Sequence, residues 1–418
     1  MKLKSIIKNC LPYGLIKHLK PLRKRNVPNI CEKVFANINV IVFEEREQTI
    51  NILFYGTIKD TISAGPLSVL YFANFLCEMG LNVRLLFGSH SVSEKQIRIN
   101  ISKFDSRFDN FCKHAEIKFL KFLETDSIEI SPKDITVATY WSTAFYAKRI
   151  QSYCNNKKFI YFIQDDERIF YENGTEHVLV ENTYNMNFYG FFSTELLRQH
   201  FLQENIGGFR DKNIISISQN SPSYYKLPAI DVFMKRAPKK RFVFYARSGR
   251  NCCVYAEYII KECCKKGILT NDWEIIGLAA EESKKVEIEN GIFIHLQKTK
   301  PLKTYINNLY TYDVALILME SPHYSMLPID LALSACIVVT NIFKTKTKEA
   351  LSNISANIIG TEFNVESMLE SIKLAVSNSE NLENRYKNAI EANFPTIDNI
   401  FNDNHKIWIT NILKDLKL

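Results

Sequence analysis

The sequence predicts an α/β protein in which two Rossmann-like domains face each other across an interdomain cleft. Predicted strands and helices alternate along most of the 418 residues, as they do in open parallel sheets with helices on both faces. A proline-bearing stretch at residues 221–240 interrupts that alternation once, as a linker between domains would. The length and the 46% hydrophobic content are also sufficient for two domains, each with its own hydrophobic core. We therefore predict a leader at 1–30, domains at 31–225 and 226–395, and a C-terminal helix at 396–418 that packs back on the first domain.

The first domain reads as repeated strand–helix units. Pro66 suits the first turn of a helix that runs to Met79, and Gly80 suits the position after its end. A later helix is expected to be capped by Ser142. Another is expected to be capped by Ser193 or Thr194 and to end at Gly207–Gly208. Short apolar runs with few polar residues predict strands at 51–55, 82–87, 135–140, 159–163, 188–192 and 214–217.

The second domain repeats the pattern. Gly267 ends a predicted helix at 254–266, and Trp408 lies in the final helix, 400–416. Apolar runs predict strands at 242–245, 273–276, 292–296, 314–319 and 337–340, and helical periodicity predicts helices at 365–377 and 382–392. Because ligands bind outside the carboxyl ends of the strands in such sheets, we expect the site in the cleft between the domains.

The basic excess of the chain lies in its first 25 residues. The net charge is +8, from 53 basic and 45 acidic residues, and residues 1–25 hold eight bases and no acid. Without those eight the chain has 45 bases and 45 acids, which argues against a nucleic-acid groove on the folded body. Apolar residues among the bases, such as Ile6 and Leu15, suit a helix lying on an anionic membrane surface. A solvated leader is the alternative interpretation.

Other patterns exclude several classes of protein. No apolar run is long enough to span a bilayer. The ten cysteines lack CxxC spacing, which favours reduced thiols and a cytoplasmic protein. Together with the basic leader, this allows peripheral association with the inner face of the cytoplasmic membrane. GxGxxG, GxxxxGK[ST], GxSxG and HExxH are absent. No DxD pair follows an N-terminal strand in a suitable position, so we predict no metal site and no cofactor.

Three polar clusters follow predicted strands. Acids at 165–167 come directly after a buried strand, where they could bind sugar hydroxyls or act as a base. Arg247 follows the strand at 242–245, and Lys298 and Lys300 follow another, so these bases could converge on a diphosphate. Residues 321–332 open a helix whose exposed amides suit a phosphate, with Asp330 one turn in, where it could bind a ribose. Each cluster taken alone also fits an ordinary loop, surface base or helix start.

Taken together, the clusters resemble a known family. Residues 161–167, with 170–171, 174–176 and 181–184, and the aromatic segment 139–144 upstream resemble bacterial rhamnosyltransferases that build rhamnan and S-layer glycans. These are retaining, WsaF-like (glycosyltransferase family 4-like) enzymes with the GT-B fold. Residues 244–247, 321–332 and 338–341 are similar to the donor-domain motifs of that family.

The resemblance implies a role for each domain. The second domain would bind the donor, with Arg247 and Lys298 on its diphosphate, and Asp165 and Asp166 would supply a base if the reaction inverted. The donor-binding residues would be Gly65, Arg247, Lys298, His323, Ser325 and Asp330. The acceptor-binding residues, on the first domain, would be Trp141, Asp165, Glu167 and Tyr171.

The resemblance further implies transfer of a sugar, rhamnose or another 6-deoxyhexose, from a nucleotide-diphosphate donor to a glycan or lipid-linked acceptor. Three departures from the family pattern leave an alternative, a non-catalytic glycan-assembly subunit with a decayed donor site. Asp330 replaces a glutamate, Met326–Leu327 replace Tyr-Pro, and Ala64–Gly65 replace a glycine pair. The loop after the strand at 292–296 is also one residue longer, so either Lys298 or Lys300 could contact the diphosphate.

Overall fold

The structure, a computed structural model, describes residues 29–56, 58–59, 62–88, 92–120, 127–219, 225–235, 239–247, 249–289, 291–395 and 397–414. Most of the predicted leader therefore lies outside the described residues. The described strands are β1 (Asn39–Val42), β2 (Thr49–Phe54), β3 (Asn82–Phe87), β4 (Glu116–Phe119), β5 (Ser127–Ile130), β6 (Ile135–Ala138), β7 (Phe159–Ile163), β8 (Phe188–Phe192), β9 (Ser216–Ser218), β10 (Lys240–Tyr245), β11 (Trp273–Leu278), β12 (Lys284–Glu289), β13 (Ile292–Gln297), β14 (Val314–Ile317), β15 (Ile337–Asn341) and β16 (Ile358–Thr361).

Helices connect most of these strands. The described α-helices are α1 (Ile30–Val34), α2 (Ala64–Glu78), α3 (Glu94–Phe104), α4 (Phe108–His114), α5 (Trp141–Gln151), α6 (Thr175–Tyr184), α7 (Glu195–Gln203), α8 (Ile230–Met234), α9 (Cys253–Lys265), α10 (Leu302–Asn308), α11 (Met326–Leu333), α12 (Lys348–Ser352), α13 (Val365–Asn378), α14 (Leu382–Ile390) and α15 (Asp403–Lys414). None of them is both long and apolar enough to cross a bilayer.

Two large sheets organise the described chain, and the prediction of two Rossmann-like domains is confirmed. In the first domain the strand order is β4-β3-β2-β6-β7-β8-β9, and every pairing is parallel. In the second domain the order is β12-β13-β11-β10-β14-β15-β16, with all pairs parallel except β12–β13. The central strands β2, β6, β7 and β8 are buried along their whole length, because helices cover both faces of a parallel sheet.

The last helix returns to the first domain. Phe401, Trp408, Ile409 and Ile412 belong to the apolar core formed by β2, β3 and α2. The ring of Phe401 stacks on Phe75 of α2 with centroids 4.3 Å apart. The described chain therefore leaves the first domain after β9 and returns to it after α14.

A buried arginine forms a hydrogen-bond network in each domain, at the end of the sheet opposite the cleft. Arg84 of β3 donates to Asn51 Oδ1 at 2.7 Å, and Asn51 in turn donates to Asp134 Oδ2 at 2.9 Å. In the second domain Arg385, fully buried, donates to Asp313 Oδ1 at 3.0 Å. Buried charges need such partners, and both networks lie at the amino ends of strands, so they serve the fold rather than the cleft.

Several details differ from the predictions. Ser142 was expected to cap α5, but the N-cap is Tyr140, whose backbone N–H donates to Thr143 Oγ1 at 3.1 Å. Helix α2 begins two residues before Pro66, with Ser63 as its N-cap. The second sheet was expected to be parallel throughout, but β12 joins its edge antiparallel. Strand β12 is largely charged and exposed, so it carries no apolar signal for a strand.

Candidate active site

Two adjacent cavities lie between the domains at the carboxyl ends of both sheets. The first has a volume of about 650 Å³ and the second about 590 Å³. The residues that line both cavities come from α2, β10 and the start of α11: Ser63, Ala64, Tyr245, Arg247, Ser325 and Met326. A ligand in one cavity would therefore lie next to a ligand in the other.

Three bases line the first cavity. Arg247 follows β10, and Lys298 and Lys300 follow β13, which is separated from β10 only by β11. The structure thus brings the predicted bases together at one edge of the second sheet. Lys298 and Lys300 both line the cavity, so either can reach an anion bound there. Such a group of cations suits a diphosphate.

Asp330 forms part of the same cavity wall and is fixed by a tyrosine. It is 3% exposed, and the Tyr305 hydroxyl donates to its Oδ2 at 2.7 Å. Burial raises the pKa of Tyr305 well above its usual value, and the Asp330 carboxylate raises it further. Tyr305 therefore stays protonated and holds the carboxylate in one orientation. The sequence analysis missed Tyr305, which lies in α10.

The turn before α11 is tightly constrained. Ser325, the N-cap, has φ 63° and ψ 156°, a conformation that non-glycine residues rarely adopt. Its N–H donates to His323 Nδ1 at 2.8 Å, and the His323 N–H donates to Ser321 Oγ at 3.0 Å. Because His323 Nδ1 accepts, the ring proton lies on Nε2 when the histidine is neutral. Both His323 and Ser325 line the second cavity.

The second cavity carries the carboxylates of the first domain. Asp165 follows β7, lines this cavity and is 2% exposed. Its Oδ1 accepts from Ser321 Oγ at 2.6 Å and from the Asp166 N–H at 2.9 Å. Because Asp165 and Ser321 belong to different domains, the first of these hydrogen bonds joins the two walls of the cleft. This places Asp165 beside the α11 turn rather than in the open solvent.

Glu167 also lines the second cavity, although it is 2% exposed. Its Oε2 accepts from the Trp141 N–H at 2.6 Å, and its own N–H donates to the Tyr184 hydroxyl at 2.8 Å. Burial raises the pKa of Glu167 well above its usual range, and the hydrogen bond from Trp141 offsets only part of that rise. Burial thus favours the protonated form of the Glu167 carboxyl, which can donate a hydrogen bond.

Asp166 is not brought to the cleft, although it was predicted as a candidate base. It lines neither cavity. Arg168 donates two hydrogen bonds, of 2.9 and 2.8 Å, to its carboxylate. His200 Nε2 lies 3.3 Å from the same carboxylate. The chain turns into a short 3₁₀ helix at Glu167–Phe170, which Asp166 caps, so its side chain points away from its neighbour's.

Trp141 and Tyr171, predicted to bind acceptor, line neither cavity. Trp141 is buried, and its Nε1 donates to the Tyr171 hydroxyl at 2.9 Å. The Tyr171 hydroxyl also bonds the hydroxyl of Tyr140, which does line the second cavity. The two predicted residues therefore support the wall from behind instead of forming its surface.

Gly65 lines the second cavity where the two halves of the first domain meet. A Cβ there would lie 2.4 Å from Gln164 Oε1, and Gln164 itself is held by donating to the Thr139 carbonyl at 2.8 Å. A side chain at position 65 would therefore displace the Gln164 amide from its present position. Its neighbour Ala64 lines both cavities.

Sequence analysis missed several tyrosines of the site. Tyr55, Tyr140 and Tyr245 line the cavities, each at or just after the last residue of a parallel strand. Their position at the carboxyl ends of β2, β6 and β10 is the signal that would have identified them. Among the described residues, no group of three or more His, Cys, Asp or Glu side chains could hold a metal ion.

Solved structures share this architecture. HepE of Anabaena in complex with UDP-glucose has a TM-score of 0.59 and 10% identity, over 87% of this chain and 99% of HepE. A TarM variant of S. aureus in complex with fondaparinux, α-GlcNAc-glycerol and UDP has a TM-score of 0.59 and 9% identity, over 88% of this chain and 100% of TarM. Sucrose-phosphate synthase of Thermosynechococcus elongatus has a TM-score of 0.58 and 8% identity, over 88% of this chain and 99% of the synthase. At these identities the likeness concerns the fold.

Sequence comparisons identify the family. The O-antigen biosynthesis protein RfbC of Myxococcus xanthus is 27% identical over 252 residues, which cover 59% of this chain and 18% of RfbC. The chain thus spans about a fifth of the length of that relative. The family description "WsaF, N-terminal domain" matches residues 49–189, and "WsaF, C-terminal domain" matches residues 240–373. Because these two matches together take in about two thirds of the chain, it belongs to the WsaF family, and its fold is the GT-B fold.

Proposed function

We propose that the protein transfers a sugar from a nucleotide-diphosphate donor to a glycan or lipid-linked glycan acceptor. Rhamnose or another 6-deoxyhexose is the proposed sugar, and retention is the proposed stereochemical outcome. The observation that carries the proposal is the position of Arg247, which lines both cavities of the cleft. A donor diphosphate beside Arg247 in the first cavity would present its sugar to an acceptor in the second. HepE, of the same fold, is solved with UDP-glucose, which supports a nucleotide sugar as donor.

Electrostatics would supply much of the catalysis. The departing diphosphate gains negative charge as the glycosidic bond breaks, so Arg247, Lys298 and Lys300 stabilise the transition state more than the ground state. The N–H groups at the start of α11 add positive potential. We expect the reaction to proceed without a metal ion, because these groups can neutralise the leaving group.

The stereochemistry depends on which group takes the acceptor's proton. In a retaining reaction an oxygen of the departing phosphate accepts the proton while the acceptor oxygen bonds the anomeric carbon from the same face. In an inverting reaction a side chain would be the base, and Asp165 is the carboxylate in position. Asp165 Oδ1 already accepts hydrogen bonds from Ser321 and Asp166, so one of its two oxygens is engaged, and for this reason we propose the retaining route.

The experiment is a donor screen on Arg247→Ala and wild-type protein. Nucleotide-activated sugars, dTDP-rhamnose first, are tested for hydrolysis and transfer with and without a chelator. We expect the wild-type protein to turn over at the same rate with and without the chelator. We expect the rate of transfer to fall about 10²-fold or more in Arg247→Ala, by analogy with removal of one charge-stabilising group. Arg210→Ala is the matched control, because Arg210 is exposed and outside both cavities. Unchanged transfer by folded Arg247→Ala would contradict the proposal.

A non-catalytic glycan-assembly role is the second candidate. One observation favours it: Asp330, proposed to bind ribose, already accepts the Tyr305 hydroxyl. Calorimetry with a panel of nucleoside diphosphates separates the two functions. A decayed donor site would bind none of them, whereas a working donor site binds at least one.

We also propose that the protein acts at the cytoplasmic face of a membrane, held there by residues 1–25. This proposal is supported by the eight bases of that segment, because the rest of the chain is formally neutral. Bases near an anionic surface contribute about 1 kcal/mol each. A lipid-linked acceptor would be reached from this position.

A further inference from the structure

One wall of the second cavity is aromatic and open. Tyr55 is 53% exposed, and its ring stacks on that of Tyr140 with centroids 3.9 Å apart and 27° between planes. Both rings line the cavity, as does Phe170, which is 36% exposed. Stacking covers one face of the Tyr55 ring, so much of its other surface stays in water. Exposed aromatic surface within a cleft is typical of a binding site.

This wall is held rigid. The Tyr140 hydroxyl bonds the Tyr171 hydroxyl, which also accepts from Trp141 Nε1 at 2.9 Å. The Tyr140 backbone N–H is fixed by Thr143 Oγ1 at 3.1 Å. A ring that is already immobilised loses little conformational entropy when a ligand packs on it. The hydroxyl network therefore prepares a flat surface for a ligand.

The polar groups beside the rings suit hydroxyl groups. Glu167 and Gln164 line the same cavity, and both are anchored on their inner side, by Trp141 N–H and Thr139 O respectively. Glu167 and Gln164 are thus placed to hydrogen bond hydroxyl groups in the cavity, and burial favours the protonated form of the Glu167 carboxyl by raising its pKa. Among the described lining residues, Arg247 alone carries a full positive charge, and the first cavity shares it.

We propose that the outer face of the Tyr55 ring, which is backed by Tyr140 and shares its cavity with Phe170, forms a subsite that stacks on the terminal pyranose of an uncharged glycan acceptor. The apolar C–H face of a pyranose packs on an aromatic face, while its equatorial hydroxyls reach groups such as Glu167 at the edge. The shared lining residues Arg247 and Ser325 place this sugar beside the donor. This inference rests on the proposed function and names the acceptor class for it.

Saturation-transfer NMR on the full chain tests the subsite directly. The probes are methyl α-L-rhamnopyranoside, methyl α-D-glucopyranoside and methyl α-D-mannopyranoside, each added with and without nucleoside diphosphate. Wild-type protein should saturate the C–H protons of at least one pyranoside. Tyr55→Ala should lose that signal and Tyr55→Phe should keep it. Tyr153→Ala is the matched control, since Tyr153 is 51% exposed and lines neither cavity.

Kinetics then separate this subsite from the donor site. Where transfer is measurable, Tyr55→Ala should raise the KM for acceptor about tenfold and leave the KM for donor and donor hydrolysis unchanged. A rise in donor KM instead would assign the rings to the donor and overturn the inference. So would a Tyr55→Ala signal equal to that of the wild type, or a wild-type protein that binds none of the three pyranosides. Binding of pyranosides without any nucleotide binding would support the subsite and overturn the proposed function.

Discussion

At the residue scale, neighbouring acids at the end of β7 have different roles. Asp165 faces the cleft and accepts from Ser321 across it, whereas Asp166 caps a 3₁₀ helix and pairs with Arg168. Burial alone would raise the pKa of Asp166, but hydrogen bonds from Arg168 and His200 outweigh it and lower the pKa to about 2. A carboxyl whose pKa falls on folding stabilises the folded state at neutral pH.

Asp166→Asn should therefore destabilise the protein without removing catalysis. We expect the free energy of unfolding at pH 7 to fall by about 2 kcal/mol, since the pKa lies roughly two units below its unfolded value. The stabilisation is full above about pH 4 and is lost as the pH falls through the folded pKa, so the gap between variant and wild type should shrink from pH 4 towards pH 2.

Urea denaturation at pH 7, 4 and 3 measures that gap, and kcat at pH 7 measures the catalytic effect. A variant that stays folded but loses most of its kcat would show that Asp166 acts on the substrate. An equal destabilisation at every pH would show that the ion pair with Arg168 is not its cause.

The sequence located the edge of the site better than it located individual side chains. Arg247, Lys298, Asp330 and Asp165 all follow from their position after strands or at a helix start, and all line the cavities. Asp166, Trp141 and Tyr171 do not line them, because the direction of a side chain after a strand depends on how the chain turns, which residue type alone does not specify. Tyr305 could not be predicted, since its partner Asp330 is 25 residues away.

At the scale of elements, buried strands were the easiest to predict. The predicted bounds of β3, β7 and β8 agree with the structure. Strands β7 and β8 are unbroken runs of apolar and aromatic residues with one glycine, and β3 is apolar apart from Asn82 and Arg84. Strand β12, with four charged residues among six, and the small parallel sheet of β1 and β5 were missed. Such edge strands are specified by pairing with neighbours, which a local pattern does not contain.

Helix α11 begins with strain that can be measured. Ser325, at φ 63° and ψ 156°, occupies a region that costs a non-glycine residue about 1–3 kcal/mol. Glycine adopts it freely, at some loss of chain entropy on folding. We therefore expect Ser325→Gly to raise the free energy of unfolding by about 1 kcal/mol and to lower turnover, since the side chain at the boundary of both cavities is lost.

Ser93→Gly is the matched control, because Ser93 is also a helix N-cap but has an ordinary φ of −69° and accepts from the Gln96 N–H. There glycine should cost a few tenths of a kcal/mol. Urea denaturation of both variants gives the comparison. If Ser325→Gly lost stability as Ser93→Gly does, the backbone at Ser325 would not be strained.

At the scale of the whole molecule, the described chain starts at a corner of the first domain that exposes apolar side chains. Tyr146 and Arg149 of α5 donate to backbone carbonyls of α1 and its end, which fixes this corner to the core. Around it Phe35 is 54% exposed and Phe43 46%. The basic segment 1–25 precedes this corner in sequence, and we propose that the basic charge and the apolar side chains both contribute to membrane binding.

Replacing the eight bases of residues 1–25 with glutamine should abolish binding to anionic vesicles. Eight charges at about 1 kcal/mol each exceed what two exposed phenylalanines contribute, so attraction to anionic lipid should dominate and should weaken with salt. Cosedimentation with phosphatidylglycerol vesicles at low and high salt measures this, with phosphatidylcholine vesicles as the control. Retention of the substituted chain on anionic vesicles would assign binding to the folded body, and Phe35→Asp together with Phe43→Asp would then test the apolar corner.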